Sequence, residues 1–226
     1  MKKYRFNLIL LIAAIAASLF VAGPAMADTT VDDNGTVWTV VRDFNKSTNG
    51  WDLRLIVNGD ETRPIWITQD NILDQDPVIA IDPLSGKPVI YWSRQVAGEF
   101  RIFRSAFGRG TFSEPTAVTA GGLGFSDVQP FVQYDGYGQC HLVWLRQRSD
   151  GWGAAFHSCN TGINWTVAER ISTILDNVIG TVTIDVPFGE HGFLNATYQY
   201  LKPDTGTTET REVCRGGDTS PWSVCH

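Results

Sequence analysis

The sequence predicts an all-β fold, a β-propeller of about four four-stranded blades, on three observations. Helical periodicity is absent after the first 27 residues. Short runs rich in Val, Ile, Thr and aromatics alternate with Gly, Asp, Asn and Pro. The pattern repeats about every 52 residues.

The strand runs include Val78-Ile79-Ala80-Ile81, Pro88-Val89-Ile90-Tyr91-Trp92 and Phe131-Val132-Gln133-Tyr134. Eight tryptophans give these short strands large apolar side chains to bury. The repeat appears when the chain is laid on itself. Asp76-Pro77-Val78-Ile79-Ala80-Ile81-Asp82 matches Gln129-Pro130-Phe131-Val132-Gln133-Tyr134-Asp135, and Gly86, Trp92 and Arg94 match Gly138, Trp144 and Arg146. Gly192 and Tyr198 keep the spacing of Gly86 and Trp92, which gives a fourth copy. Asn34, Val40 and Arg42 give a first. The copies span approximately 28–71, 72–122, 123–176 and 177–226. Each has room for about four strands, and one such sheet cannot bury both faces alone, so the copies are expected to stack as blades.

The N-terminus reads as a secretory signal peptide, residues 1–27. Lys2, Lys3 and Arg5 precede an apolar run from Leu8 to Ala22, and Ala25-Met26-Ala27 is a small-x-small cleavage site. Cleavage after Ala27 leaves 226 − 27 = 199 residues, about 50 per copy, which favours a closed ring. The alternative is an open array, because Asp28, Asp32, Asp33 and Asn34 make a poor innermost strand. A monomer or a dimer would follow. The expected location is secreted or periplasmic, with no membrane insertion once the leader is removed.

The leader carries three of the 18 basic residues and none of the 24 acidic ones, so the remaining chain has 15 against 24, a net charge of −9. That balance argues against nucleic acid, whose phosphates demand basic surface, and against anionic lipid. A glycan or protein ligand is expected instead. Four cysteines, Cys140, Cys159, Cys214 and Cys225, allow three disulfide pairings, and no C-x-x-C spacing favours a metal.

One segment carries a family resemblance. Ser158-Cys159-Asn160-Thr161-Gly162-Ile163-Asn164-Trp165 resembles the Asp-box, Ser-x-Asp-x-Gly-x-x-Trp, with Asn160 in place of Asp. The Asx side chain can bond backbone N–H groups two residues on, the Gly takes a positive φ and the Trp packs into the blade. Ser105 to Phe112 keeps only the Ser and the aromatic, and Cys214 to Trp222 is more degenerate. The chain is thereby similar to the Asp-box (BNR-repeat) sialidase-like propellers. The resemblance implies that these turns lie on the face away from an active site. It also implies two local disulfides, Cys140–Cys159 and Cys214–Cys225, at the ends of neighbouring strands. Sialidases further carry a Phe/Tyr-Arg-Ile-Pro segment, three carboxylate-binding arginines, an acidic Asp, a Tyr-Glu nucleophile pair and six blades. Here Phe100-Arg101-Ile102-Phe103 lacks the Pro, no Tyr-Glu pair is placed, and there is room for four blades.

Ligand-binding candidates follow from the repeat. Arg42, Arg94 and Arg146 stand 52 residues apart near the ends of second strands, where guanidinium groups could hold a carboxylate or sulfate. The competing reading is structural: each stacks on an aromatic or pairs with an Asp. Asp74, Asp76, Asp127 and Asp176 enter the innermost strands and could hold Ca²⁺ or supply acid–base carboxylates, against ordinary turn chemistry. His141, His157, His191 and His226 show no ligand spacing or paired carboxylate. Trp51 and Trp152 could stack on sugars or pack within blades. Asn45, Asn164 and Asn195 begin Asn-x-Ser/Thr sequons. The favoured expectation is a non-catalytic module binding a glycan or a protein. The alternatives are an exo-sialidase-type glycoside hydrolase and a purely structural envelope repeat protein.

Overall fold

A computed structural model describes residues 27–122, 124–160, 162, 164–187, 193–217 and 220–225. The leader, apart from Ala27, and His191 and His226 lie outside the described residues. The described residues form strands and turns with no helix.

Four antiparallel sheets follow one another along the chain. Blade 1 comprises β1 (Ala27–Val31), β2 (Val37–Asn45), β3 (Gly50–Val57) and β4 (Asp60–Trp66). In blade 2, β5 (Asp74–Asp82), β6 (Lys87–Val96) and β7 (Glu99–Gly108) are followed by two short strands, β8 (Thr111–Phe112) and β9 (Thr116–Ala117), both paired with β7. Blade 3 holds β10 (Phe125–Tyr134), β11 (Cys140–Arg148), β12 (Gly153–Asn160) and β13 (Glu169–Arg170). Blade 4 holds β14 (Asn177–Asp185), β15 (Phe193–Leu201), β16 (Thr208–Gly216) and β17 (Ser223–Val224).

The innermost strands of blades 2 to 4 share a β-bulge, at Gln75/Val78, Val128/Phe131 and Ile179/Thr183. In each a residue takes positive φ: Asp76 at 51°, Gln129 at 53° and Gly180 at 72°. Pro77 and Pro130 follow the first two, and a bulge tolerates a residue that cannot donate to the ladder. The bulges also join blades, since Asp76 Oδ2 accepts the Gln129 amide at 3.2 Å. Asp28 does the same for blade 1. It sits in β1, and its Oδ2 accepts the Ile79 amide at 2.9 Å, so an acidic residue serves the innermost strand instead of spoiling it.

Three apolar cores fill the spaces between blades. Val40, Leu53 and Leu55 meet Ile79, Ile90 and Trp92 between blades 1 and 2. Tyr91 and Ile102 meet Leu142 and Trp144 between blades 2 and 3. Val143 and Leu145 meet Ala196, Tyr198 and Tyr200 between blades 3 and 4. Blades 2 and 3 are therefore buried on both faces, and β6 and β11 run almost continuously buried. Blade 4 instead alternates buried and exposed along β14 and β15, which is one dry face and one wet face.

That alternation overturns the expected closed ring. The innermost strands pack in chain order, and no packing of comparable extent joins β14 back to β1. The outer face of blade 4 explains why none is needed. Thr183, Thr197 and Glu212 form one row across it, and Gln199 and Thr210 form another. Blade 1 turns outward a Thr29–Thr39 hydroxyl pair at 3.1 Å and an Asp43–Arg54 ion pair at 2.7 Å. The outer face of blade 4 is polar at its centre, with Phe193 and Leu201 exposed at its two ends, and the outer face of blade 1 is mixed, with Val31 and Val37 exposed beside those polar pairs.

Cys214 and Cys225 are bridged, with Cα atoms 5.3 Å apart. The expected Cys140–Cys159 bridge is absent. In the β11–β12 ladder Cys140 faces Asn160 and Cys159 faces His141, so the two thiols leave opposite faces of the sheet.

Candidate functional site

Each candidate arginine is best understood from its strand pairing. Asp127 and Arg146 are direct partners across β10 and β11, as are Asp74 and Arg94 across β5 and β6. The core tryptophan two residues before each arginine shares its face and reaches the same carboxylate. Trp144 Nε1 donates to Asp127 Oδ1 at 2.9 Å and Trp92 Nε1 to Asp74 Oδ1 at 2.8 Å. Arg146 closes bidentately on Asp127, at 2.6 and 2.9 Å, and lies 4.4 Å over the Phe156 ring. Arg94 bonds Asp70 Oδ2, and its Nη1 stands 3.6 Å from Asp74 Oδ2.

Blade 4 rebuilds this brace from different residues. Tyr198 donates to Asp176 at 2.7 Å, and the cation is Arg211 of β16, 3.1 Å from Asp176 and 4.4 Å over Tyr200. Asp74, Asp127 and Asp176 are all buried by this arrangement. Burial pushes the Asp74 carboxyl up to about 6, against the pull of Arg94. Burial likewise raises Asp76, which accepts the Ser93 hydroxyl at 3.2 Å.

Arg42 is not the equivalent of Arg94 and Arg146. Val40 and its neighbours pack forward on blade 2, whereas Trp92 packs back on blade 1, so the first copy is slipped by one residue. One residue flips every side chain of a strand to the other face. Arg42 therefore shares the blade 1–2 interface with Arg94, 5.0 Å over Trp51, and Asp76 stands near enough to feel its charge. Arg146 lies one interface further along with Trp144. The three arginines do not meet in one site. Trp152 likewise carries a guanidinium, that of Arg170, at 4.9 Å.

Of the cavities among the described residues, two gather aromatic or titratable side chains from neighbouring blades. The larger, about 460 Å³, lies between blades 2 and 3 at the end bearing the 158–165 turn. At that turn Gly162 N donates to Asn160 Oδ1 at 2.8 Å, Gly162 has a φ of 93°, and Ser158 Oγ donates to the Thr166 carbonyl at 2.8 Å. Ser105 makes the matching bond to the Ser113 carbonyl in blade 2. Tyr91, Tyr134 and Trp165 supply aromatic wall, and Asp82, Arg104, Asn160 and Asn164 supply polar groups. Trp165 packs edge-on to Tyr91, with centroids 6.1 Å apart. Tyr91 Oη lies 3.2 Å from Cys140 Sγ. Burial raises both tyrosines far above the ordinary phenol value and pushes the Cys140 thiol up to about 12, so all three are neutral hydrogen-bonding groups near pH 7.

The second cavity, about 270 Å³, lies between blades 3 and 4. His141 Nδ1 and His157 Nε2 are 3.2 Å apart, His157 Nδ1 is 3.0 Å from Glu169 Oε1, and His141 Nε2 is 3.7 Å from Asp135 Oδ2. The expectation that these histidines lack carboxylate partners is thus corrected. The partners come from other strands and turns, at separations with no sequence signature. The hydrogen bond from His157, with those of Trp222 and the charge of Arg215, holds Glu169 below the usual carboxylate range.

No family model matches the chain, and no curated protein matches it. Solved structures do. An α-L-arabinofuranosidase of Fusarium graminearum, family GH93, in complex with arabinobiose, is 14% identical over 89% of this chain and 65% of its own, with a TM-score of 0.61. A Hadza microbial sialidase is 10% identical over 89% of this chain and 46% of its own, TM-score 0.64. A PL25 ulvan lyase is 12% identical over 88% and 54%, TM-score 0.62. The fold is that of a β-propeller. The chain spans about half to two thirds of the length of these neighbours, and at such identities the likeness is one of fold.

Proposed function

We propose that this chain is a secreted or periplasmic, non-catalytic propeller module of the Asp-box, sialidase-like type that binds a glycan. The carrying observation is the cavity between blades 2 and 3. Sugars present apolar C–H faces and dense hydroxyls, and that cavity offers Tyr134 and Trp165, backed by the buried Tyr91, beside Asp82, Arg104, Asn160 and Asn164. The solved neighbours, an arabinofuranosidase, a sialidase and an ulvan lyase, all act on glycans, which supports the ligand class.

The same geometry argues against hydrolysis. Glycosidases need two carboxyl groups that reach the glycosidic bond, about 5 Å apart in retaining enzymes. Asp70 and Asp74 have that closeness, with oxygens within 4.8 Å, but Asp74 is 0% exposed and cannot touch a sugar. Asp127 and Asp176 are sealed by Arg146 and Arg211.

The test is a glycan array followed by calorimetry on any hit. Binding should weaken roughly ten- to a hundredfold in Arg104→Ala, the loss of one charged hydrogen bond. Binding that Arg104→Ala and Tyr134→Ala both leave unchanged would overturn the assignment of the cavity, and release of reducing sugar would overturn the non-catalytic reading.

A further inference from the structure

Two charged side chains line the cavity between blades 2 and 3, Asp82 and Arg104. Asp82 is occupied by its own turn. Its Oδ1 accepts the Leu84 amide at 2.9 Å and its Oδ2 the Ser85 hydroxyl at 2.8 Å, the usual work of an Asp at a turn.

Arg104 has no such task. Arg94, Arg146 and Arg211 are held by the carboxylates of the braces, and Arg215 is held by Glu169. Arg104 stands in β7 opposite Tyr91 and Thr116, and it shares the face of Ile102 and Ala106 that packs on blade 3. Among the described residues this half-buried side chain makes no hydrogen bond, ion pair or ring contact. Tyr134 and Cys140, on the blade 3 wall, both feel its charge, so the guanidinium lies inside the cavity. A guanidinium carries five N–H donors and no acceptor. Beside it Asn160 gives its Oδ1 to the Gly162 amide at 2.8 Å, which leaves its NH₂ group to a ligand. The hydrogen-bonding capacity left in this wall is mainly that of donors, with one positive charge among them.

We propose that the cavity binds an anionic sugar, one bearing a carboxylate or a sulfate, with Arg104 forked onto two oxygens of that group and the sugar ring against the aromatic wall. The assignment rests on the glycan-binding function proposed above and names the class of sugar. Carboxylate and sulfate both present a pair of oxygens that a guanidinium matches, and such charged hydrogen bonds are about twice as strong as neutral ones. A neutral sugar would meet the same fork with hydroxyls alone. The chain is acidic overall, which works against attraction from a distance, so the selection is made at contact range inside the cavity.

The first test needs no variant. Uronate-bearing and sulfated oligosaccharides are each set beside a neutral counterpart, carboxyl-reduced or desulfated, on an array and then in calorimetry. The acidic member of a pair should bind about ten- to a hundredfold more tightly than the neutral one, the effect of one charged hydrogen-bonded contact. That advantage should shrink as NaCl rises from ~50 to ~500 mM. Arg104→Gln, its fold checked by thermal unfolding, should bind both members equally, whereas Arg104→Lys should keep part of the preference. The uronate and sulfate arms tell which anion is held. Equal binding of acidic and neutral members by the unmodified chain would overturn the anionic class and leave glycan binding standing. A preference that survives in Arg104→Gln would overturn the role of Arg104, and no binding of any glycan would overturn both proposals.

Discussion

The indole N–H of Trp144 donates to Asp127 Oδ1 at 2.9 Å, and Trp92 and Asp74 repeat the bond one blade earlier. A buried indole needs an acceptor, a buried carboxylate needs donors, and each here supplies the other. The arginine two residues on completes the carboxylate and stacks on a ring, so one strand end is fixed by charge, hydrogen bonds and packing together. Removing Asp127 should therefore cost more than an ordinary surface acid. Asp127→Ala leaves the buried Trp144 indole and the partly buried Arg146 guanidinium without their acceptor, and about 2–4 kcal/mol should be lost in urea unfolding. Loss below about 1 kcal/mol would mean that water replaces the carboxylate and that the brace is no structural element.

Glu169 sets a pH dependence. Its folded pKa is held below the ordinary value by hydrogen bonds from His157 and Trp222 and by the charge of Arg215. A lowered folded pKa contributes stability that is present above the unfolded value, 4.5, and is lost as pH falls through the folded one. Stability should decline on acidification below about pH 4.5, and Glu169→Gln should flatten that part of the curve while lowering stability near pH 7. Parallel curves for the two proteins would show that the Glu169 contacts contribute nothing.

The two classes of cysteine should be separable chemically. Replacing Cys214 and Cys225 with serine removes a cross-link closing a short loop, and about 2–3 kcal/mol should be lost. Thiol titration of the denatured, unreduced chain should find Cys140 and Cys159 and nothing else. No free thiols would mean that the second bridge forms after all and that the β11–β12 register differs.

How much of this was legible in the sequence follows from what each feature depends on. The blades were legible because stacked sheets demand apolar strands at a fixed period. Cys214–Cys225 was legible because a short segment joins them. What failed were questions of face and of register. Cys140 and Cys159 sit at neighbouring strand ends, yet a one-residue offset sends them to opposite faces. The same slip removes Arg42 from the series of Arg94 and Arg146. The pairing of His157 with Glu169 depends on side chains meeting across strands and loops, which no spacing in one sequence encodes. The open ring was hidden for a different reason: average blade length says nothing about which faces are polar.

The last prediction concerns those polar faces. Tyr198 of β15 and Trp144 of β11 both face the preceding blade, so Thr197 and Val143, one residue earlier, face the following side. Val143 is buried against blade 4, whereas Thr197 stands on the outer face of the last blade, in the Thr183–Thr197–Glu212 row. The same strand position is thus a core site in blade 3 and a solvent site in blade 4. Val143→Arg should abolish folding or cost several kcal/mol, because it buries an unpaired charge between blades. Thr197→Arg should change stability by no more than about 0.5 kcal/mol. Light scattering of both the unmodified chain and Thr197→Arg should then give a monomer, since the centre of this face is polar and its exposed apolar side chains, Phe193 and Leu201, stand apart at the two ends of β15. A stable dimer that Thr197→Arg dissociates would instead mean that a second copy covers the outer face of blade 4.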